Sequence, residues 1–236
     1  MGHPVTSRKE IQDIIIADLV LIIAFSLTIT GGIAAFQTSQ PLALKTFEYY
    51  LPIAALGVSL SFILHELMHK FIAQRYGAVA EFRTSYSGLA ITMITGMFGF
   101  LLGIPGATMI YTDRFTPKEN GVVSIAGPLM NFAVFGVFLL LEFVLAPAKT
   151  SYLYSAITFT LFISILLAFF NMLPVFPLDG SKVLRWNKPI YISVMAVIFI
   201  LMLLFTPIGW EEVLLLIGVA LFFSLVYRFF FRQSYF

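Results

Sequence analysis

Long runs of apolar residues, interrupted by short groups of polar and charged residues, recur along almost the whole chain. Several of these runs reach the roughly 20 residues that a helix needs to cross about 30 Å of hydrocarbon. Using proline, glycine and charged residues as boundaries, we place six spanning helices at residues 12–35, 50–74, 121–146, 152–176, 189–206 and 210–231. The pattern predicts an all-α polytopic membrane protein that forms a single integral-membrane domain over residues 1–236.

The segment from Ser87 to Tyr111 is also apolar, but it contains six glycine and proline residues that disfavour a helix: Gly88, Gly96, Gly99, Gly103, Pro105 and Gly106. Residues 84–95 mix Thr, Ser, Tyr and Ile with partial alternation, which favours strands. We therefore expect a small membrane-associated β-hairpin region between the second and third spans.

Composition agrees with a lipid environment, because 60% of the residues are hydrophobic and only 11% are charged, against about 25% charged in soluble domains. The formal net charge of +2 is too small to indicate nucleic acid as a partner, so the bilayer is the expected surroundings. The chain has no cysteine, and a metal site would therefore have to use imidazole and carboxylate ligands.

The basic residues orient the spans. If the amino terminus is cytoplasmic, only Lys45 and Lys149 lie outside, which leaves 12 of the 14 Lys and Arg residues on the cytoplasmic side, as the positive-inside rule requires. A single crossing by residues 87–111 would invert every later span, so the charges favour zero crossings or two. We expect a multi-pass protein of the plasma membrane with both termini in the cytoplasm.

The second span contains an HExxH sequence that begins at His65 and ends at His69. Histidines four residues apart lie on one face of a helix, about 6 Å apart along its axis, so both imidazoles can bind one zinc ion. Glu66 is placed to take a proton from zinc-bound water rather than to ligate the metal. Histidine and glutamate are costly in hydrocarbon, which argues against a chance occurrence. Lys70 and Arg75 follow the motif and are expected to extend to the inner interface.

A catalytic zinc site usually needs a third protein ligand, and the strongest candidate is Asp179. Pro174 and Pro177 break the fourth span, and Asp179 precedes a glycine in a turn-forming pair, so the carboxylate can fold back toward the bundle. The second and fourth spans both run toward the cytoplasm, which brings Asp179 to the same side as the histidines. If the second span enters the membrane near Tyr50, His65 lies about 22 Å along it, in the cytoplasmic half of the bilayer.

At these residues the chain resembles the site-2 protease family of intramembrane zinc metalloproteases. The motifs are HExxH in the second span, N-x-x-P-x-x-P-x-D-G over residues 171–180, and AGPLMN over residues 126–131, which is similar to the family's AGPxxN signature. The resemblance implies a three-helix catalytic core within residues 50–188, flanked by further helices. It also implies that one zinc ion is bound by His65, His69 and Asp179, with Glu66 as general base and then acid.

The resemblance further implies cleavage of transmembrane segments of other proteins, in regulated intramembrane proteolysis. Asn171 matches a position that steadies substrate or the developing oxyanion, although it could equally bond a carbonyl freed by Pro174. A substrate helix must unwind before attack, and a strand containing Thr84, Tyr86 and Thr92 could pair with the opened segment. Many family members carry a PDZ domain, for which we find no room in this chain.

Two other classes of protein stay open. A prenyl-protein protease shares HExxH but takes glutamate as its third ligand, and Glu142, Glu211 and Glu212 fall on the outer side of the predicted layout. A non-catalytic zinc-binding protein or transporter would use intramembrane His and Asp as an ion pathway. It would be expected to carry several intramembrane acids, whereas the predicted ones gather at one site.

Overall fold

The structure is a computed structural model that describes residues 6–112, 115–206 and 218. The helices are α1 (Arg8–Thr30), α2 (Gly32–Thr38), α3 (Gln40–Arg75), α4 (Tyr86–Met97), α5 (Pro117–Leu145), α6 (Tyr152–Asn171), α7 (Asp179–Trp186) and α8 (Lys188–Phe205), and the strands are β1 (Val79–Thr84) and β2 (Gly106–Tyr111). Five of the described helices, α1, α3, α5, α6 and α8, are long and apolar enough to cross a membrane. The predicted polytopic, mainly helical architecture with a small sheet is confirmed. The sixth predicted span, residues 210–231, lies outside the described residues apart from residue 218.

The first two spans have different boundaries from those predicted. The first is divided at Gly31, which has a φ of 96° and caps α1 in the left-handed conformation that glycine favours. α3 begins at Gln40, well before the predicted residue 50, because a proline in its first turn is compatible with a helix. Its 36 residues extend about 54 Å, more than the hydrocarbon thickness. The depth derived for His65 from an entry at Tyr50 therefore no longer follows.

The segment before β2 differs most from the prediction. Tyr86 and Thr92, which were predicted in a strand, lie in α4, and only Thr84 lies in a strand, at the end of β1. The Thr92 hydroxyl accepts a hydrogen bond from the N–H of Ile104 at 3.0 Å and donates to the carbonyl of Leu102 at 2.9 Å. Polar side chains of α4 thus form hydrogen bonds with the backbone of the loop that follows this helix. They do not belong to a strand with one polar and one apolar face.

β1 and β2 form an antiparallel sheet in which Phe82 lies opposite Thr108. α1 covers the outer side of β1, where the backbone N–H of Phe82 donates to Oε1 of Glu10 at 3.1 Å. Within the part of the chain that the structure describes, no strand other than β1 pairs with β2. The edge of β2 that faces away from β1 therefore contacts α3 instead of another described strand.

Two clusters of buried apolar residues hold the helices together. One includes Leu161, Ile165 and Phe169 of α6 and joins that helix to α5, α7 and α8. The other includes Leu21 of α1 and Val58 of α3, and it joins these helices to α6. The second cluster contains side chains of both α3 and α6, and Leu60 and Leu64 of α3 pack against the first. The helix with the HExxH motif is therefore fixed relative to the helix that leads to Asp179.

α1 carries three acids, Glu10, Asp13 and Asp18, each no more than 9% exposed. Glu10 pairs with Lys70, so Lys70 is buried against α1 and does not extend to the interface as predicted. Asp18 accepts a hydrogen bond from the hydroxyl of Ser59 at 2.7 Å. The expectation that intramembrane acids gather at one site does not hold, but each of these acids has a partner in α3 or β1.

Candidate metal centre

The three side chains predicted as metal ligands lie together. Nε2 of His69 is 3.0 Å from Nε2 of His65 and 3.0 Å from Oδ2 of Asp179, while Nε2 of His65 is 3.6 Å from the same oxygen. Ligands placed tetrahedrally at about 2.0 to 2.1 Å from zinc stand about 3.3 Å apart, and the three separations bracket this distance. His65, His69 and Asp179 are 3%, 7% and 8% exposed, so the group is buried.

Asp179 reaches the histidines from the first turn of α7. α6 ends at Asn171, and the chain then turns back before α7 begins. A Cβ on Gly180 would stand 2.0 Å from the carbonyl oxygen of Met172, so only glycine allows α7 to approach this turn so closely. The prediction that the Asp179–Gly180 pair forms a turn is wrong: the pair begins a helix, and close packing is what requires the glycine.

α5 contributes Gly127 to the same space. A Cβ at this position would stand 2.4 Å from Nε2 of His69 and 2.6 Å from Nε2 of His65. Glycine therefore leaves open the volume toward which both imidazole nitrogens point. The sequence marked Gly127 only as part of a family signature, and the structure supplies the physical reason for a residue without a side chain.

Hydrogen bonds orient the ligand candidates. Nδ1 of His69 lies 2.8 Å from the carbonyl oxygen of Val123 in α5. When Nδ1–H donates to this carbonyl, Nε2 keeps its lone pair for a metal ion. In the metal-free site, burial by itself raises the pKa of the Asp179 carboxyl, but the charge of a protonated His69, hydrogen bonds from His65 and His69, and the nearby Lys182 together hold that pKa below its ordinary range. These contacts favour the ionised carboxylate, which is the form that binds a metal ion.

Glu66 lies beside this group without belonging to it. Its Oε2 accepts hydrogen bonds from the backbone N–H of Thr108 at 3.0 Å and from the Thr108 hydroxyl at 2.8 Å. Glu66 is partly exposed, whereas the histidines on either side of it are buried. No sequence pattern indicated a role for Thr108, because the predicted strand lay before residue 96.

Of the other predicted site residues, Asn171, Thr84 and Thr92 make hydrogen bonds within the protein. Asn171 is the last residue of α6, and its Nδ2 donates to the carbonyl of Leu167 at 3.0 Å. The carbonyl of Phe170, which Pro174 would leave free, accepts the backbone N–H of Leu173 instead, so Asn171 does not serve that purpose. The Thr84 hydroxyl donates to a backbone carbonyl of α1 at 2.7 Å. Thr84, like the residues of α4, is thus engaged away from the metal candidates.

Sequence analysis indicated Asn131 only as the last residue of the AGPLMN motif, without a role of its own. It lies one turn after Gly127 on α5 and is fully buried, and neither its Nδ2 nor its Oδ1 has a hydrogen-bond partner among the described residues. A buried amide without partners is costly, and such groups in native structures call for an explanation. Asn131 is therefore a further candidate for contact with a bound molecule.

Comparisons with known proteins identify the class. The model of peptidase family M50 matches residues 136–206. MJ0611 of Methanocaldococcus jannaschii is 46% identical over 140 residues, which are 59% of this chain and 72% of that protein. Rip2 of Mycobacterium tuberculosis is 30% identical over 174 residues (67% of this chain, 66% of that protein), and YwhC of Bacillus subtilis is 30% identical over 165 residues (59% and 72%). All three carry the provisional name of zinc metalloprotease. No solved structure matches the chain.

Apolar helices together with a buried His–His–Asp group are typical of a membrane metalloenzyme. The chain belongs to peptidase family M50, the site-2 protease family. It is a zinc-dependent metalloprotease of the membrane, and zinc is its cofactor. Family membership excludes both alternatives that the sequence left open, the prenyl-protein protease and the non-catalytic zinc protein.

Proposed function

We propose that the protein hydrolyses peptide bonds within or near transmembrane segments of other membrane proteins, in regulated intramembrane proteolysis. The observation that carries this proposal is the location of the ligand candidates. His65 and His69 lie in α3, a helix long and apolar enough to span a membrane, and Asp179 reaches them from α7. A site built on a spanning helix is suited to substrates that are themselves in the bilayer.

In this proposal His65, His69 and Asp179 hold one zinc ion through two imidazole nitrogens and one carboxylate oxygen. Their separations fit tetrahedral zinc, and Gly127 leaves space for the ion. Zinc, when bound, supplies a Lewis acid that makes water more acidic and polarises a peptide carbonyl. The carboxylate of Glu66 takes the proton from the attacking water and later delivers it to the nitrogen of the departing amine.

A helical substrate has to unwind near the scissile bond, because helical carbonyls are hydrogen-bonded and shielded by side chains. Backbone groups freed in lipid cost several kcal/mol each. We assign the compensating role to β2 in place of residues 84–95, since no described strand pairs with its outer edge and that edge lies at Glu66. The N–H of Thr108 is already bonded to Glu66, so a substrate strand would pair with this edge beyond Thr108 and would lie beside the proposed base.

We further propose that both termini are cytoplasmic, in the plasma membrane. The bias of the basic residues supports this orientation. The whole chain would then form one integral-membrane domain, with its catalytic core within residues 50–188.

The test compares purified wild type, Glu66→Gln and Asp179→Asn in detergent, with zinc content and cleavage of a model transmembrane substrate as readouts. Glu66→Gln should keep zinc and lose activity, because the amide cannot accept the proton while the ligands stay intact. Asp179→Asn should lose much of its zinc. Glu142→Gln, at the far end of α5, is the matched control and should keep both properties.

Full proteolysis by Glu66→Gln would exclude the mechanism. A wild type that cleaves soluble peptides but no transmembrane segment would exclude the substrate class while leaving the metalloprotease intact.

A further inference from the structure

The carboxylate of Glu66 is held by strand β2. The backbone N–H of Thr108 donates to Oε2 at 3.0 Å, and the Thr108 hydroxyl lies 2.8 Å from Oε2 and 3.1 Å from the carbonyl oxygen of Glu66. Hydrogen bonds to a carboxylate are shorter and roughly twice as strong as bonds between neutral groups. None of these bonds goes to Oε1. One residue of a strand thus fixes one oxygen of the proposed base.

The direction of the Thr108 N–H follows from the register of the sheet. In an antiparallel ladder, opposite residues alternately exchange both hydrogen bonds or none. Phe82 lies opposite Thr108, and its N–H donates to Glu10 instead of to β2. The N–H of Thr108 likewise points away from the partner strand. Phe82 and Thr108 therefore form a pair that exchanges no hydrogen bonds. The contact with Glu66 therefore depends on the fold and not only on the Thr108 side chain.

The strand is itself anchored to the catalytic helix by a second route. Glu10 accepts the N–H of Phe82 and pairs with Lys70, which lies one helical turn after Glu66 in α3. The connections run from Glu66 to Thr108 in β2, through the neighbouring pairs of the β1–β2 ladder to Phe82, and through Glu10 and Lys70 back to α3. Such a circuit fixes the distance between β2 and α3 where the carboxylate lies.

We propose that Thr108 is a positioning residue, which fixes the Glu66 carboxylate through Oε2 and presents Oε1 to the attacking water. A partly exposed glutamate has several rotatable bonds, and general-base catalysis requires its oxygen within hydrogen-bond reach of the proton it accepts. This inference rests on the proposed role of Glu66 as the base.

The test compares Thr108→Val, Thr108→Ser and wild type in the zinc-loaded, full-length enzyme. Valine has the shape of threonine but lacks the hydroxyl. We expect kcat of Thr108→Val to fall about tenfold, less than the roughly 10²- to 10⁴-fold contribution of a complete general base, because the N–H still holds Oε2. KM and zinc content should not change, and Thr108→Ser should restore kcat. Thr158→Val is the matched control, because its hydroxyl bonds only within α6.

A second readout needs no catalysis. In zinc-free protein, amide hydrogen exchange is compared between wild type and Glu66→Ala. Exchange at the N–H of Thr108 should become faster in the variant, while exchange at Met109, which faces into the ladder opposite Glu81, should not change.

Three outcomes would overturn the proposal: a kcat for Thr108→Val equal to that of wild type, equal losses in the Val and Ser variants, or unchanged exchange at Thr108. If the wild type itself cleaves no substrate, the proposed function fails, and the exchange measurement still tests the contact.

Discussion

Gly127 and His69 approach so closely that a single methyl group on Gly127 would stand 2.4 Å from Nε2 of the imidazole. That distance is well below van der Waals contact, so α5 or the imidazole would have to move to accommodate it. Both movements disturb the proposed metal centre, because α5 also supplies the Val123 carbonyl that orients His69.

Gly127→Ala is accordingly expected to weaken zinc binding at least tenfold, with loss of proteolysis as a consequence. The loss of zinc affinity is measured by the zinc content of the purified protein and by zinc titration of the metal-free protein. Gly136→Ala is the matched control on the same helix, since a Cβ there meets no atom within 4 Å and alanine favours a helix by about 1 kcal/mol. Stoichiometric zinc in Gly127→Ala would contradict the assignment of this space to the metal.

The ligand candidates could be predicted from sequence because each depends on a local rule. The spacing of His65 and His69 places both on one helical face, and the prolines before Asp179 end α6 on the side where α3 carries the histidines. Gly127 and Thr108 could not be predicted in the same way. Their importance comes from contacts between elements distant in the chain, which no local pattern encodes.

The strand prediction failed at Tyr86 and Thr92 for a related reason, although Thr84 does lie in β1. Thr84, Tyr86 and Thr92 lie in a segment whose apolar and hydroxyl residues suit either a strand or a helix, and alternation over so few residues does not separate the two. The glycines that argued against a helix serve other purposes. A Cβ on Gly88 would stand 2.1 Å from the carbonyl oxygen of Ile104, so this glycine permits close packing of α4 against the following loop.

The buried pair of Glu10 and Lys70 predicts a large effect on stability. Glu10→Leu leaves the Lys70 ammonium buried without its charged partner, with the Thr6 hydroxyl at 3.0 Å as a remaining acceptor. Breaking a buried pair in this way costs about 3 to 5 kcal/mol. The double variant Glu10→Leu with Lys70→Met should recover part of the loss, although the N–H of Phe82 stays without its acceptor. Thermal unfolding in detergent measures both, with the exposed Lys9→Met as control. A double variant no more stable than Glu10→Leu would show that the pair is not coupled.

Replacing Asn131 is expected to have different effects on stability and on activity. Because its amide is buried without partners among the described residues, Asn131→Leu should leave the unfolding temperature unchanged or raise it. If the amide donates to the substrate carbonyl, kcat/KM should fall about 10²-fold, as when an oxyanion donor is removed. The exposed Asn120→Leu on the same helix is the control. An active and stable Asn131→Leu would exclude substrate contact.

The edge of β2 allows a test of how the substrate is held. Since the N–H of Thr108 points away from β1, alternation along the strand makes the N–H of Ile110 point outward as well. Ile110→Pro therefore removes an edge donor without removing a ladder bond, a position at which strands tolerate proline.

We expect KM for a transmembrane substrate to rise about tenfold in Ile110→Pro, which corresponds to about 1.4 kcal/mol of binding and the loss of one hydrogen bond. Zinc content should not change. Ile110→Ala loses the same side chain but keeps the N–H, so it separates the two effects. Met109→Pro instead removes an N–H that faces Glu81 inside the ladder, and it should destabilise the sheet. Equal KM values for Ile110→Pro and Ile110→Ala would mean that the substrate does not pair with this edge.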